Sequence, residues 1–202
     1  MKKIYFLLLL IAVLISCRDN KESREQNTES EKEPGKLELL LTLPVDSAID
    51  FYDLSNDSIR DFPDLSEYTI KSLDLSHNEI DTFIVDFLPK GIEKLNLSYN
   101  LLRNVLPYEL MPHSSLRDID ISHNRISLVM LGIPVRKINA SHNELTSISF
   151  NHENIEYVDI SYNPNLSNVV SFDPYKVDTV IYNNIANDKK LIYAGGILKS
   201  IE

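Results

Sequence analysis

Apolar residues recur along this chain in a frame of about twenty positions, and inside each frame they alternate briefly with polar ones. One apolar column runs Ile49, Ile70, Ile92, Leu116, Val135, Ile155, Val177; a second runs Tyr52, Leu73, Leu95, Ile119, Ile138, Val158, Val180. A third follows two residues later as Leu54, Leu75, Leu97, Ile121, Ala140, Ile160 and Tyr182. Residues two apart point to one side of a strand, so the last two columns predict a short strand in each frame. One such strand cannot bury its face alone, but parallel strands stacked about 4.8 Å apart build a continuous core. Each strand is followed by another apolar pair: Ile59/Phe62, Ile80/Phe83, Leu102/Val105, Ile126/Val129, Leu145/Ile148 and Leu166/Val169. These pairs are expected to turn inward from the outer side. The connections are too short for full helices, so 3₁₀ turns and extended segments are expected there, with one helical turn near Pro107–Met111.

A polar column closes each strand: Asp57, Asn78, Asn100, Asn124, Asn143 and Asn163. There the backbone leaves the sheet ladder and its groups need partners. An amide both donates and accepts, so it bridges adjacent turns. Asp57 only accepts when ionised, which suits a first turn with no predecessor. These six residues are expected to be structural. The extra residue in Asn163-Pro164-Asn165-Leu166 predicts a local bulge.

The unit L-x-x-L-x-L-x-x-N-x-L resembles the leucine-rich repeat family over about Ile49 to Tyr182. The resemblance implies an α/β solenoid, curved and right-handed, with a parallel β-sheet on the concave face and a 3₁₀ or irregular convex side with little helix. About seven repeats are expected within a domain spanning 37–202, with an N-terminal cap at 37–48 and a C-terminal cap at 186–202.

The first residues carry an address. Met1-Lys2-Lys3 is basic, Ile4–Ile15 is apolar, and Leu14-Ile15-Ser16-Cys17 resembles a bacterial lipobox. An apolar run this short suits a signal peptide over 1–16 and not a membrane span. The resemblance implies lipid on Cys17, as in Bacteroidetes-like lipoproteins, and an outer-membrane location with possible display at the cell surface. Residues 17–36 are rich in Glu, Asp, Lys, Asn and Ser and are expected to form a disordered tether spanning roughly 20–25 Å. The chain has formal charge −10, with no cysteine beyond Cys17. That charge argues against nucleic acid as a partner.

No nucleophile–base pair, phosphate loop or C-x-x-C spacing occurs, so no enzyme and no cofactor are expected. Two polar columns bear on ligand binding. Asp53, Asp74, Asn96, Asp120, Asn139 and Asp159 form a ladder on the concave side, read as solvated, with Ca²⁺ capture the weaker reading. Asn56, His77, Tyr99, His123, His142 and Tyr162 form the other. His123 and His142 lack a third ligand for zinc, so this column is read as contact residues and no metal is expected. Among the charged columns, cross-strand pairing in the row Lys94–Asp118–Lys137 is expected.

The function expected is noncatalytic. A monomeric, lipid-anchored module presents its concave face to a protein or other macromolecule through Arg117, His123, Arg136, Lys137, His142, Tyr157 and Tyr162. These residues are expected to form one patch, because Tyr and Arg combine contact area with hydrogen bonding. Rival readings are a structural accessory subunit of a cell-envelope complex, and a glycan-capture lipoprotein suggested by Tyr99, Tyr157 and Tyr162.

Overall fold

The computed structural model describes residues 33–105, 115–131, 135–150, 155–166, 170–172, 177–185 and 197–199. Cys17, the expected signal and most of the tether lie outside these residues, as do the turn near 107–111 and residues 186–196 of the expected C-terminal cap. The described chain begins with a helix α1 (Lys36–Leu40) and continues as strands β1 (Ala48–Asp53), β2 (Thr69–Asp74) and β3 (Lys94–Asn96). Then come β4 (Asn104–Val105), β5 (Asp118–Asp120), β6 (Leu128–Leu131), β7 (Lys137–Asn139) and β8 (Ser147–Phe150). The series ends with β9 (Ile155–Asp159), β10 (Val170–Phe172), β11 (Val177–Ile181) and β12 (Ile197–Lys199).

Two parallel sheets result. The concave sheet has the order β1-β2-β3-β5-β7-β9-β11-β12, and an outer sheet has the order β4-β6-β8-β10. The registers set like columns side by side, for example Leu73↔Leu95, Leu95↔Ile119, Ile119↔Ile138 and Ile138↔Val158. This is a leucine-rich-repeat solenoid, with one turn of chain per repeat and each turn packed on the next. The outer side carries the extended segments and the 3₁₀ turn expected, and the extended segments also pair with one another. A single 3₁₀ turn appears among the described residues there, at Val85–Phe87. Four of the short connections are extended enough to pair, since Val105, Val129 and Ile148 recur at one spacing.

The core lies between the sheets. Leu54, Leu75, Leu97, Ile121, Ala140 and Ile160 are fully buried, as are Ile80, Leu102, Ile126 and Leu145 on the outer side. Burying one such aliphatic side chain stabilises by roughly 1.5–3 kcal/mol, against about 0–1 kcal/mol for an exposed ion pair. The apolar columns therefore dominate over the surface charges. The extra residue after Asn163 is absorbed in a turn at Pro164 and Asn165, and Leu166 still reaches the core.

The first turn has no predecessor, and α1 closes it. Leu40 is fully buried and Leu37 packs on the same core. The Asp57 carboxylate accepts the backbone N–H groups of Lys36 and Leu37, both at 2.9 Å. Lys36, placed in the tether by composition, is the first residue of α1, and its ammonium contacts Asp53 at 2.9 Å. At the other end β12 adds a strand beyond β11, where only a covering segment was expected.

Candidate functional site

The Asn column holds the turns in register. Asn100 Oδ1 accepts from Ile80 N–H on the preceding turn, and its amide donates to Leu75, Leu97 and Ser98 carbonyls. Asn78, Asn124, Asn143 and Asn163 repeat this pattern, and all five are buried. An acceptor and two donors are thus spent on backbone groups that the sheets leave unpaired.

The Asp/Asn column on the concave side is also internally committed. Asp74, Asn96, Asp120, Asn139 and Asp159 each accept, through Oδ1, the backbone N–H of the serine two residues on. The second oxygens of Asp74 and Asp120 accept from the amides of Asn96 and Asn139 at 3.2 and 3.1 Å. These carboxylates face neighbours on either side and do not converge on a common point, which disfavours cation capture. At the first turn Asp53 is held down to about 2 by the Ser55 hydroxyl, by the Lys36 ammonium and by the Ser55 N–H.

Above this floor runs a groove of about 400 Å³ crossing β2, β3, β5, β7 and β9. Phe51 and Tyr157 stand at its two ends, with Lys94, Asp118 and Lys137 between them. Lys94 lies 4.0 Å from Asp118. Lys137 sits beside Asp118 in register, yet its ammonium lies 3.9 Å from Glu156, so the expected three-residue row is a pair plus a second pair. Arg136 also contacts Glu156, at 3.3 Å. Burial first, and the nearby Asp159 carboxylate second, push the Tyr157 hydroxyl above its ordinary range.

The residue two positions after the third apolar column takes a left-handed backbone in every turn. Asn56, His77, Tyr99, His123, His142, Tyr162 and Asn184 all have φ between 50° and 56°. That conformation turns the chain out of the strand, and each N–H still reaches the next turn, as in Tyr99 N to Ser122 O at 3.0 Å. It also stacks the side chains. His77, Tyr99, His123, His142 and Tyr162 form one continuous pile of rings, with centroids 4.1–4.2 Å apart and planes within 11°. Burial, then His142, hold the His123 imidazole below its ordinary value, with Asp120 opposing and His77 adding to the depression.

The residues expected as one patch therefore fall in three places. Lys137 and Tyr157 line the groove. His123, His142 and Tyr162 lie in the ring ladder at the strand exits, and Arg117 and Arg136 lie at the strand entries. Arg136 and His142 are six positions apart along the chain, a span of up to about 20 Å. Stacking occupies both ring faces of Tyr99, which removes it as a platform for a sugar ring, and one face of Tyr162. Among the described residues no third His, Cys, Asp or Glu is placed with His123 and His142 to hold a metal ion. Sequence reasoning found this column as contact residues but not its stacking; the signal available was Asn at both ends of it, the side chain that best tolerates left-handed backbone.

Residues 69–90 match the family described as Leucine Rich Repeat. The chain is similar to Tsukushi of Gallus gallus, at 34% identity over 119 residues, covering 50% of this chain and 32% of that protein. It is similar to Podocan-like protein 1 of Mus musculus, at 30% identity, covering 39% of this chain and 15% of that protein. Tsukushi of Mus musculus is 34% identical over 38% of this chain and 24% of its own length. The chain thus spans at most about a third of these relatives. All three are vertebrate proteins and lend no support to a bacterial lipoprotein origin. Fold and repeat together suggest a non-catalytic, protein-binding class of molecule.

Proposed function

We propose that this protein is a noncatalytic binding module, anchored to a membrane through lipid on Cys17, whose concave groove receives a segment of a protein or other macromolecule. The groove carries this reading. Its rim is formed by Phe51, Lys94, Asp118, Lys137 and Tyr157, side chains that the core does not need, above a floor whose polar groups are already paired, and its ends are aromatic. Aromatic side chains supply contact area at small entropic cost, and the Lys94–Asp118 and Lys137–Glu156 pairs supply mixed charge for register. The lipobox-like Leu14–Cys17 and the charged stretch after it support anchorage in an outer membrane.

A photo-crosslinking side chain placed at position 157, compared with one at position 125 on the outer turn, tests the groove. The expected result is a discrete adduct from 157 on intact cells and none from 125. Adducts from 125 alone would move the site to the convex face and favour an accessory role in an envelope complex. Anchorage is tested separately by Cys17→Ser. The variant is expected to lose labelled fatty acid and to leave the membrane fraction, and unchanged labelling would refute the anchor.

A further inference from the structure

The ring ladder contains three imidazoles whose nitrogens the fold leaves unused. Among the described residues, no side-chain hydrogen bond or ion pair involves His77, His123 or His142, and no buried polar side-chain atom lacks a partner. The imidazole nitrogens therefore reach solvent. The backbone does not require rings here. Asn56 and Asn184 adopt the same left-handed conformation at the two ends of the column, with φ of 53° and 50°. Asn and His both tolerate that conformation better than Tyr, so the backbone alone does not account for an unbroken run of rings, and the stack itself calls for an explanation.

The geometry of the central pair supplies one. His123 and His142 stack at 4.1 Å with 11° between their planes. Each stacked ring carries its N–H groups in its own plane, so the two neighbouring ring edges can each direct one donor to the same side. Such a pair of donors suits an oxyanion, whose two oxygens accept one bond each. We propose that His123 and His142 form a proton-gated clamp for a carboxylate, phosphate or sulfate oxyanion at the edge of the solenoid. Burial and the neighbouring His142 ring both disfavour charge on the His123 imidazole. Acid adds positive charge to two rings in contact, and an anion lying across both edges offsets their repulsion. Proton uptake and anion binding thus strengthen each other. The other groups around the pair are Asp120 and His77, which act on His123 in opposite senses, and the hydroxyl-bearing rings of Tyr99 and Tyr162 on either side. Exposed Arg125 and Glu144 follow the two histidines by two residues each, one favouring and one opposing an anion.

The test uses the full chain, imidazole proton resonances as the readout, and inorganic sulfate as the probe, because its charge is constant over the range. Sulfate affinity is expected to rise about tenfold between roughly pH 7.5 and 5.5, with shifts at His123 and His142 that chloride at matched ionic strength does not produce. His142→Asn, a side chain the column already accepts, is expected to abolish the sulfate shift at His123. His77→Asn, separated from the pair by Tyr99, is expected to leave it in place. A tetraglutamate peptide forms the second arm. Binding of the peptide with loss in His142→Asn supports the clamp and assigns it to acidic segments of a partner; binding of sulfate alone assigns it to free anions. Shifts no larger than those in chloride for both probes, or an undiminished effect in His142→Asn, would overturn the proposal.

Discussion

The side-chain oxygen of Asn124 accepts the backbone N–H of Leu102 at 3.0 Å, across 22 residues of chain. The same amide donates to the carbonyls of Leu97, Ile121 and Ser122. Asn124→Ala strands these buried groups and is expected to cost about 1–3 kcal/mol, whereas Arg125→Ala, exposed one position on, is expected to cost under about 0.5 kcal/mol. Urea denaturation of both variants checks this; equal midpoints would contradict it.

The first position of the column and its interior call for different chemistry. Asp57 only accepts, from Lys36 and Leu37, while Asn124 must also donate. Asp57→Asn and Asn124→Asp are therefore both expected to destabilise, by about 1–3 kcal/mol each, although they exchange nearly isosteric groups. Thermal melts would show whether either change is silent, as it would be if shape alone mattered.

Tyr99 sits at φ 56° between two imidazoles. Tyr99→Asn keeps a side chain that tolerates the left-handed region, but Tyr99→Val places a β-branched one there. The valine variant is expected to be less stable than the asparagine variant by about 1–2 kcal/mol. Chemical denaturation in parallel decides it. For the same reason Tyr162, also at φ 56°, is a poor place for alanine in any binding test, and Tyr157→Ala is the cleaner probe of the groove.

Acid acts on the ladder with a defined sign. The folded state holds His123 below its ordinary 6.5, so the unfolded chain binds protons more readily. The stability this contributes is complete above the unfolded value and is lost as pH falls through the lower folded one. His123→Tyr continues the ring column without the titration. Its urea midpoint is expected to fall less than that of the parent on acidification below about pH 6.5, and parallel falls would exclude the linkage.

Asp53 behaves alike at lower pH. Its carboxylate, held at about 2 by Ser55 and Lys36, supports α1 above the unfolded value near 3.8 and releases it as pH falls through about 2. Hydrogen exchange at the N–H of Leu41, bonded to Leu37 O, is expected to accelerate in Asp53→Asn at neutral pH as it does in the parent under strong acid.

Columns were legible wherever one side chain had one duty. Leu75, Leu97 and Ile121 had only to be apolar, and Asn78 and Asn100 only to be amides, so a twenty-residue period exposed them directly. The His/Tyr column varied in type, and its common property is a backbone angle that no residue identity announces. The outer sheet hid for a similar reason: Val105, Val129 and Ile148 reveal burial, but whether extended neighbours pair depends on the distance between turns. β12 announces itself weakly, since the leading apolar column falls on Gly195 ahead of Ile197–Lys199.

The way α1 is fastened has a mechanical consequence. A pull on the chain entering at Glu33 loads the bonds from Lys36 and Leu37 to Asp57 and from Lys36 to Asp53 before any turn of the coil. Behind that latch each turn is held only by its neighbour. Under tension the protein should therefore unwind like thread from a spool, releasing chain in lengths of one repeat, with the first and largest force peak marking the loss of the latch.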